Sequence, residues 1–454
     1  MQSVASLWFR EALLAQGWAP NVRITVAAGR IIRIEVQSPP EPVDDRHEIG
    51  IPGIANVHSH AFQRAMAGLT EVAGPSQDSF WTWRELMYRF LDRLGPEEVE
   101  AISAFAFMEM LETGFTRVGE FHYLHHDPQG RPYTEPAELT QRIAAAAEQS
   151  GIGLTLLPVL YSHSNFGGLA PKHGQRRFIN DIDQFGRLLE ASRHAVRSLD
   201  GAIVGVAPHS LRAVTPDELE AAIALAPGGP VHIHAAEQVR EVEDCLAWSG
   251  QRPVEWLLEH APVDAQWCLV HSTHLTTDEV RDLAASSAVA GLCPVTEGNL
   301  GDGIFPALEY LSSGGAFGIG TDSNILIDPA AELRALEYSQ RLIHHRRNVL
   351  AGGGPTGRRL FDAALEGGNL ALGCGRKGLA EGAFADIVSL DATHPSLVSR
   401  RGDALLDAWV FAARHGSLDC VWRHGRKLVS RGAHVRHEAI TSRYRTILAR
   451  LLGH

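Results

Sequence analysis

The chain is poor in lysine. Its 454 residues include three, Lys172, Lys377 and Lys427, so arginine carries nearly all of the positive charge. Cysteine is also sparse: Cys245, Cys268, Cys293, Cys374 and Cys420 are odd in number, widely spread and form no CxxC pair. That excludes a disulfide framework and a sulfur-bound metal, and it points to reduced thiols in the cytoplasm. No apolar run approaches membrane-spanning length, so no membrane partner is expected. The opening residues, MQSVASLWFREALLAQGW, lack a basic start followed by an apolar core, so no secretory signal is expected either. Acidic residues outnumber basic ones, 53 to 41, for a net charge of −12, which argues against a nucleic-acid partner. An anionic substrate would have to be met by a local cationic pocket.

What is present is an ordinary soluble composition, 45% hydrophobic and 21% charged, in a chain long enough for a large catalytic domain and a smaller one. Residues 21–35, NVRITVAAGRIIRIE, set two β-branched runs around Ala-Gly and predict a hairpin. ADIVSL at 385–390 predicts a strand, and CVWRHGRKLVSRGAHV at 420–435 predicts a strand, a turn at His-Gly and a second strand. The two chain ends are therefore expected to meet in a small β-sandwich domain. It would comprise residues 1–50 and 379–454, with a terminal helix, around an inserted unit spanning 51–378.

The middle alternates short apolar runs with longer amphipathic stretches. The runs are IANVHSH, FTRVGEF, GLTLLPVLY, AIVGVAPHS, PVHIHAAE, WCLVHSTH, VAGLCP and AFGIGTDSN, with helical patterns such as Pro96–Glu112, Thr215–Ala226 and Ala331–Arg346 between them. Strands alternating with helices imply a parallel sheet, and eight such runs are what an α/β fold of the (β/α)8 TIM barrel type requires. Polar residues gather at the C-terminal ends of the runs: His58, His60, Glu120, His209, His234, Glu237, His271 and Asp322. Barrel enzymes place their chemistry at that face.

His58 and His60, two apart on a strand, point to the same side and can reach one ion. His232 and His234 form a second HxH, and His234, nearer the strand end, is the better ligand, while His232 reads as packing. His271 and Asp322 end two later strands. An Asp before Ser is alone more often a cap. Taken in order, HxH, HxxE, His and Asp at successive strand ends form a specific pattern, and neutral nitrogens with one carboxylate suit zinc and leave room for water. No lysine falls on a barrel strand, so no modified lysine is available to bridge two ions, and a single zinc per chain is expected. His122, His125 and His126 read as a solvated loop cluster, and Glu120 and Asp302 as groups supporting the site.

This pattern, framed by a split β-domain, resembles the mononuclear deaminase branch of the amidohydrolase superfamily. Longer stretches resemble the formimidoylglutamate deiminases of bacterial histidine breakdown more closely: NVHSHAFQRAMAGL at 56–69, DSFWTWRELMYR at 78–89, EFHYLHHD at 120–127, HSLRAVTP at 209–216 and NLGDGIFPA at 299–307. The resemblance implies zinc ligands His58, His60, His234 and Asp322. It implies catalytic, proton-handling roles for Glu237, His271 and Asp322, and substrate contacts from Gln63, Arg84, Tyr123, His209 and Arg212. It also implies a homodimer. After Asp322 the family pattern continues Ser-His, where this chain has Ser323-Asn324.

The implied substrate, N-formimidoyl-L-glutamate, is a small dicarboxylate. Arg84 and Arg212 suit it, because a guanidinium grips a carboxylate through two parallel hydrogen bonds. Arg84 lies in an aromatic-rich segment with Phe80, Trp81, Trp83 and Tyr88 that would cover the mouth as a lid. A nucleobase deaminase of the same branch is the alternative and would want a stacking pocket in place of paired arginines. A barrel that only binds a ligand would have no use for Glu237, His271 and Asp322 together.

Overall fold

The computed structural model describes residues 5–72, 79–375, 378–414 and 416–453. Strands β1 (Ala5–Leu14) and β2 (Gly17–Ala27) pair antiparallel, with Leu7 opposite Ile24 and Phe9 opposite Val22. Strand β3 (Arg30–Glu35) completes the expected hairpin with β2. Ala28 and Gly29 both take positive φ (52° and 75°) in its two-residue turn, the backbone that twists with the strands it joins. Strand β4 (Asp45–Pro52) then runs parallel to β1.

The barrel follows as β5 (Ile54–Ser59), β6 (Phe115–His122), β7 (Gly153–Leu160), β8 (Ile203–Val204), β9 (Ala207–Pro208), β10 (Val231–Ala235), β11 (Trp267–His271), β12 (Val289–Leu292) and β13 (Ala316–Ile319). All eight apolar runs thus become barrel strands. Every residue of β5, β6, β7, β10, β11 and β12 is buried, which is why these strands read as unbroken apolar runs instead of alternating ones. The strands pair in parallel, β13 returns to β5 at Ile319 and Asn56, and bridges from Val206 to Val231 and Ser210 to His234 complete the ring. The AIVGVAPHS run splits into β8 and β9 at Gly205, where a Cβ would lie 2.3 Å from the Pro230 carbonyl oxygen.

Helices cover the outside, among them Pro216–Ala224, capped by Thr215 and Glu218, and Pro329–His344, close to the expected spans. Two need labels: α1 (Phe80–Leu91), at the mouth, and α2 (Pro96–Thr113), on the barrel wall.

The chain then returns to the terminal sheet. Strands β14 (Ile387–Leu390), β15 (Leu418–Arg423), β16 (Arg426–Ser430) and β17 (Ala433–His434) extend it beyond β4, giving one hydrogen-bonded path of eight strands. The segment leading into β14 also bonds to the opposite edge, Ile31 N–H to the Ala383 carbonyl at 2.9 Å. The sheet therefore curls over a second core that includes Leu7, Phe9, Ile24, Ile387 and Trp422. The expected terminal helix, His437–Leu452, packs on α2, with Tyr444 stacked on Phe105 at 4.0 Å. Lys172 lies in a loop after β7 and Lys427 in β16, away from the barrel strands; Lys377 lies outside the described residues.

Two checks on stability follow from this packing. The helix Thr356–Ala371 lies so close to β13 that a Cβ at Gly367 would sit 1.9 Å from the Phe317 carbonyl oxygen, whereas Gly186, inside the helix Ile182–Ala195, meets nothing nearer than 3.9 Å. Gly367→Ala should cost roughly 3 kcal/mol or more of unfolding free energy through overpacking. Gly186→Ala should gain up to about 1 kcal/mol, both read by denaturant titration. In the terminal sheet, burial tends to raise the Asp44 carboxyl, but hydrogen bonds from Arg23, the Glu41 amide and Ser6 hold it at about 2. A carboxyl depressed in the folded state stabilises above its unfolded pKa and stops doing so as pH falls through the folded one. The melting-temperature gap between wild type and Asp44→Asn should therefore be full at pH 7 and close as pH falls from about 4 to about 2.

Candidate metal centre and active site

The site is assembled by backbone before side chains. Where β5 meets the loop after β13, the His58 carbonyl accepts Thr321 N–H at 3.0 Å and Asp322 N–H at 2.9 Å, and the Asp322 carbonyl accepts His60 N–H at 2.9 Å. Asp322 is held at φ 44° and His271 at φ 66°, left-handed values uncommon for such residues that persist where surrounding bonds over-determine them.

The side chains then converge. His58 Nε2 lies 3.1 Å from His234 Nε2 and 3.4 Å from Asp322 Oδ1, and His60 Nε2 lies 3.3 Å from the same oxygen. His60 Nδ1 donates to the Phe121 carbonyl at 2.9 Å and His234 Nδ1 to the His209 carbonyl at 3.0 Å. Each of these rings therefore turns its Nε2 lone pair inward. Burial pushes the His58 ring down to about 3 and lowers His60 and His234 too, so all three stand neutral, as metal ligands must. Burial favours a protonated Asp322, but His58, His60 and His271 overcome it and keep the carboxyl ionised. Two ring nitrogens facing each other across 3.1 Å beside a carboxylate, with His58 Nδ1 buried without a partner, fit a shared cation.

The wall of the pocket above this cluster includes His60, Gln63, Arg84, Tyr123, His209, Arg212, His234, Glu237, His271 and Asp322. Of the residues singled out from the sequence, His58 lies just beneath, fully buried. Glu237 Oε1 lies 3.7 Å from His271 Nε2, and its Oε2 lies 3.9 Å from the Arg212 guanidinium. Burial raises the Glu237 carboxyl, against the pull of His271 and Arg212, so that it can carry a proton. Burial disfavours charge on His271, but Glu237, Glu297 and Asp322 outweigh it and raise the ring. Gln63 donates to the Tyr123 hydroxyl at 2.7 Å. The Nε atoms of Arg84 and Arg212 are buried without a partner. Trp81 lies among three guanidiniums, Arg84 at 4.6 Å, Arg240 at 4.9 Å and Arg212 at 5.9 Å from its ring, while Phe80, Trp83, Met87 and Tyr88 of α1 line the mouth.

Other residues fall elsewhere. His232 faces away, its Nε2 bonded to the Ala371 carbonyl at 2.7 Å. Glu120 accepts the Ala61 N–H at 2.8 Å and so fixes the turn after His60. Asp302 accepts from Gln238, the residue after Glu237. The histidines expected to be solvated are not: His122, His125 and His126 are all buried. The loop folds under residues 177–179, and His125 and His126 bond to the Val159 and Ile179 carbonyls at 2.9 and 2.7 Å. Asn324 is buried behind the site. Its amide donates to Ser59 Oγ and to the Asp322 carbonyl, both at 3.1 Å, and its oxygen accepts from Thr321. The sequence reading passed over Tyr161, Phe178 and Leu300, which also line the pocket, and Glu297, 3.2 Å from His271 Nδ1. The one trace of Glu297 in the sequence is an acid four residues beyond strand-end Cys293.

Residues 49–428 match the Amidohydrolase family, and residues 7–48 match the family described as Formimidoylglutamate deiminase HutF, N-terminal domain. The chain belongs to the amidohydrolase family, metal-dependent hydrolases acting on C–N bonds. Among its relatives, formimidoylglutamate deiminase of Pseudomonas aeruginosa is 49% identical, covering 99% of this chain and 100% of that protein. The crystal structure of an amidohydrolase from Brucella melitensis superposes with a TM-score of 0.96 at 55% identity, over 99% of this chain and 100% of the other. An adenosine deaminase from Xanthomonas campestris, at 21% identity and a TM-score of 0.81, covering 99% of each chain, shares the fold.

His58→Gln and His234→Gln should each drop the bound divalent metal from near stoichiometric to background, measured by elemental analysis, while the fold persists by circular dichroism. His232→Gln should leave metal content unchanged.

Proposed function

We propose that this protein hydrolyses N-formimidoyl-L-glutamate to N-formyl-L-glutamate and ammonia, using one zinc per chain held by His58, His60, His234 and Asp322. The observation that carries the reading is the pair of arginines, Arg84 and Arg212, which line the same pocket as the histidine–aspartate cluster and whose Nε atoms have no hydrogen-bond partner. Two cations in a chain of net charge −12 suit a substrate with two carboxylates. The 49% identity to the Pseudomonas aeruginosa deiminase supports the same assignment. Five unpaired cysteines support action in a reducing cytoplasm, and a homodimer belongs to the proposal on family resemblance.

Zinc bound at this site would supply Lewis-acid activation of water at neutral pH. The chain's own groups then divide the work. Asp322 takes a proton from the attacking water as its oxygen bonds to the formimidoyl carbon. His271 steadies the charge that develops there. Glu237 carries a proton to the terminal nitrogen, whose bond to carbon breaks as ammonia leaves. Arg84 and Arg212 hold the carboxylates, Gln63, Tyr123 and His209 complete the grip, and the aromatic residues of α1 exclude water from the mouth.

The test is ammonia release by zinc-loaded enzyme from N-formimidoyl-L-glutamate, with N-formimidoyl-L-aspartate and cytosine alongside. Release from the glutamate compound is expected; turnover of cytosine alone would overturn the substrate. Arg84→Met and Arg212→Met should each lower kcat/KM by about 10–100-fold, the value of a hydrogen bond to a charged group. Glu237→Gln should keep zinc and lose about 10²–10⁴-fold in kcat.

A further inference from the structure

His271 is wholly buried, and its two ring nitrogens face different carboxylates. Nε2 looks toward Glu237 and the metal cluster, and Nδ1 lies 3.2 Å from Glu297 Oε1. That oxygen also accepts the Cys293 N–H at 2.9 Å, which fixes the carboxylate in place. The helix that carries it, Pro294–Leu300, is anchored twice: Val295 N–H donates to Glu332 at 2.9 Å, and Thr296 Oγ1 donates to the Thr321 carbonyl at 3.1 Å. Glu297 is therefore rigidly tied to the same loop that presents Asp322.

We infer that Glu297 is the positioning residue of His271: it fixes the imidazole in the tautomer with hydrogen on Nδ1, leaving Nε2 to face the reacting centre. An ionised carboxylate only accepts, so Nδ1 must donate to it, and any further proton that the ring takes sits on Nε2, facing the reacting centre. The same carboxylate balances the positive charge the ring takes on when it is protonated. A carboxylate that orients a buried catalytic histidine acts on turnover and leaves substrate binding alone. Glu297 does not line the pocket, so it acts through His271 and not through the substrate. The inference rests on His271 serving the deiminase reaction proposed above.

Glu297→Gln keeps the side-chain length and an acceptor for Cys293 but removes the charge and permits the other tautomer. Its kcat on N-formimidoyl-L-glutamate should fall about 10²–10⁴-fold, with KM and zinc content at wild-type values. Glu297→Asp, which restores the charge, should recover part of the loss. The deciding readout is a double-variant cycle with His271→Gln: if the two residues act as a unit, the double variant is no slower than His271→Gln alone. Undiminished kcat in Glu297→Gln, or losses that multiply in the double variant, overturn the inference. Should the glutamine variant fail to fold, the same cycle run with Glu297→Asp gives the answer by the same criterion. An inert wild-type enzyme would sink the substrate reading; an active one with an unimpaired Glu297→Gln sinks this inference alone.

Discussion

The backbone exchange between β5 and the loop after β13 sets everything else in this protein. It joins the first and last barrel strands, and the residues it ties together are His58, His60 and Asp322. Closing the barrel and gathering the histidine–aspartate cluster thus rest on the same hydrogen bonds. The left-handed backbone at Asp322 is held by that exchange and by the buried Asn56–Thr321–Asn324–Ser59 network behind it. Strain at Asp322 is tolerated because the strands on either side cannot relax without opening the ring.

Charge is arranged against the background of the chain. An acidic protein repels dicarboxylates at long range, and screening confines that repulsion to about 10 Å at 0.1 M salt. Inside the pocket two cations stand on the wall, Arg212 buried near Glu237 and Glu241 and Arg84 leaning on Trp81 and Tyr88. Aromatic faces accept a guanidinium without neutralising it, so both cations remain available.

Much of this was legible in the sequence, for a physical reason. Parallel strands buried on both faces show as apolar runs, and a polar residue at the end of such a run has nowhere to point but the mouth. That logic located His60, His209, His271 and Asp322 on the pocket wall, and nearness to the strand end separated His234 from His232. It failed where position depends on tertiary packing. Strand β1, ASLWFREALL, shows no alternation, and its place comes from pairing with β2 and β4. The His122, His125 and His126 loop looked polar enough for solvent, yet the carbonyls of Val159 and Ile179 offer it partners inside. Glu297 sits on a short helix whose direction no local pattern specifies. Asn324, the departure after Asp322, bonds within the frame beneath the site, which no local pattern specifies.

The split of the terminal sheet also bears on the order of events during synthesis. Strand β4, ending at Pro52, has β14, beginning at Ile387, as its antiparallel neighbour, with the whole barrel between them. At ribosomal speeds of roughly 5–20 residues per second, the wait between the two is on the order of tens of seconds. Throughout that interval one side of β4 is an open strand edge, the kind that invites pairing with another chain. A nascent chain of this design needs its early β1–β4 segment shielded, by the growing barrel or by a chaperone, until the last strands emerge to cover it.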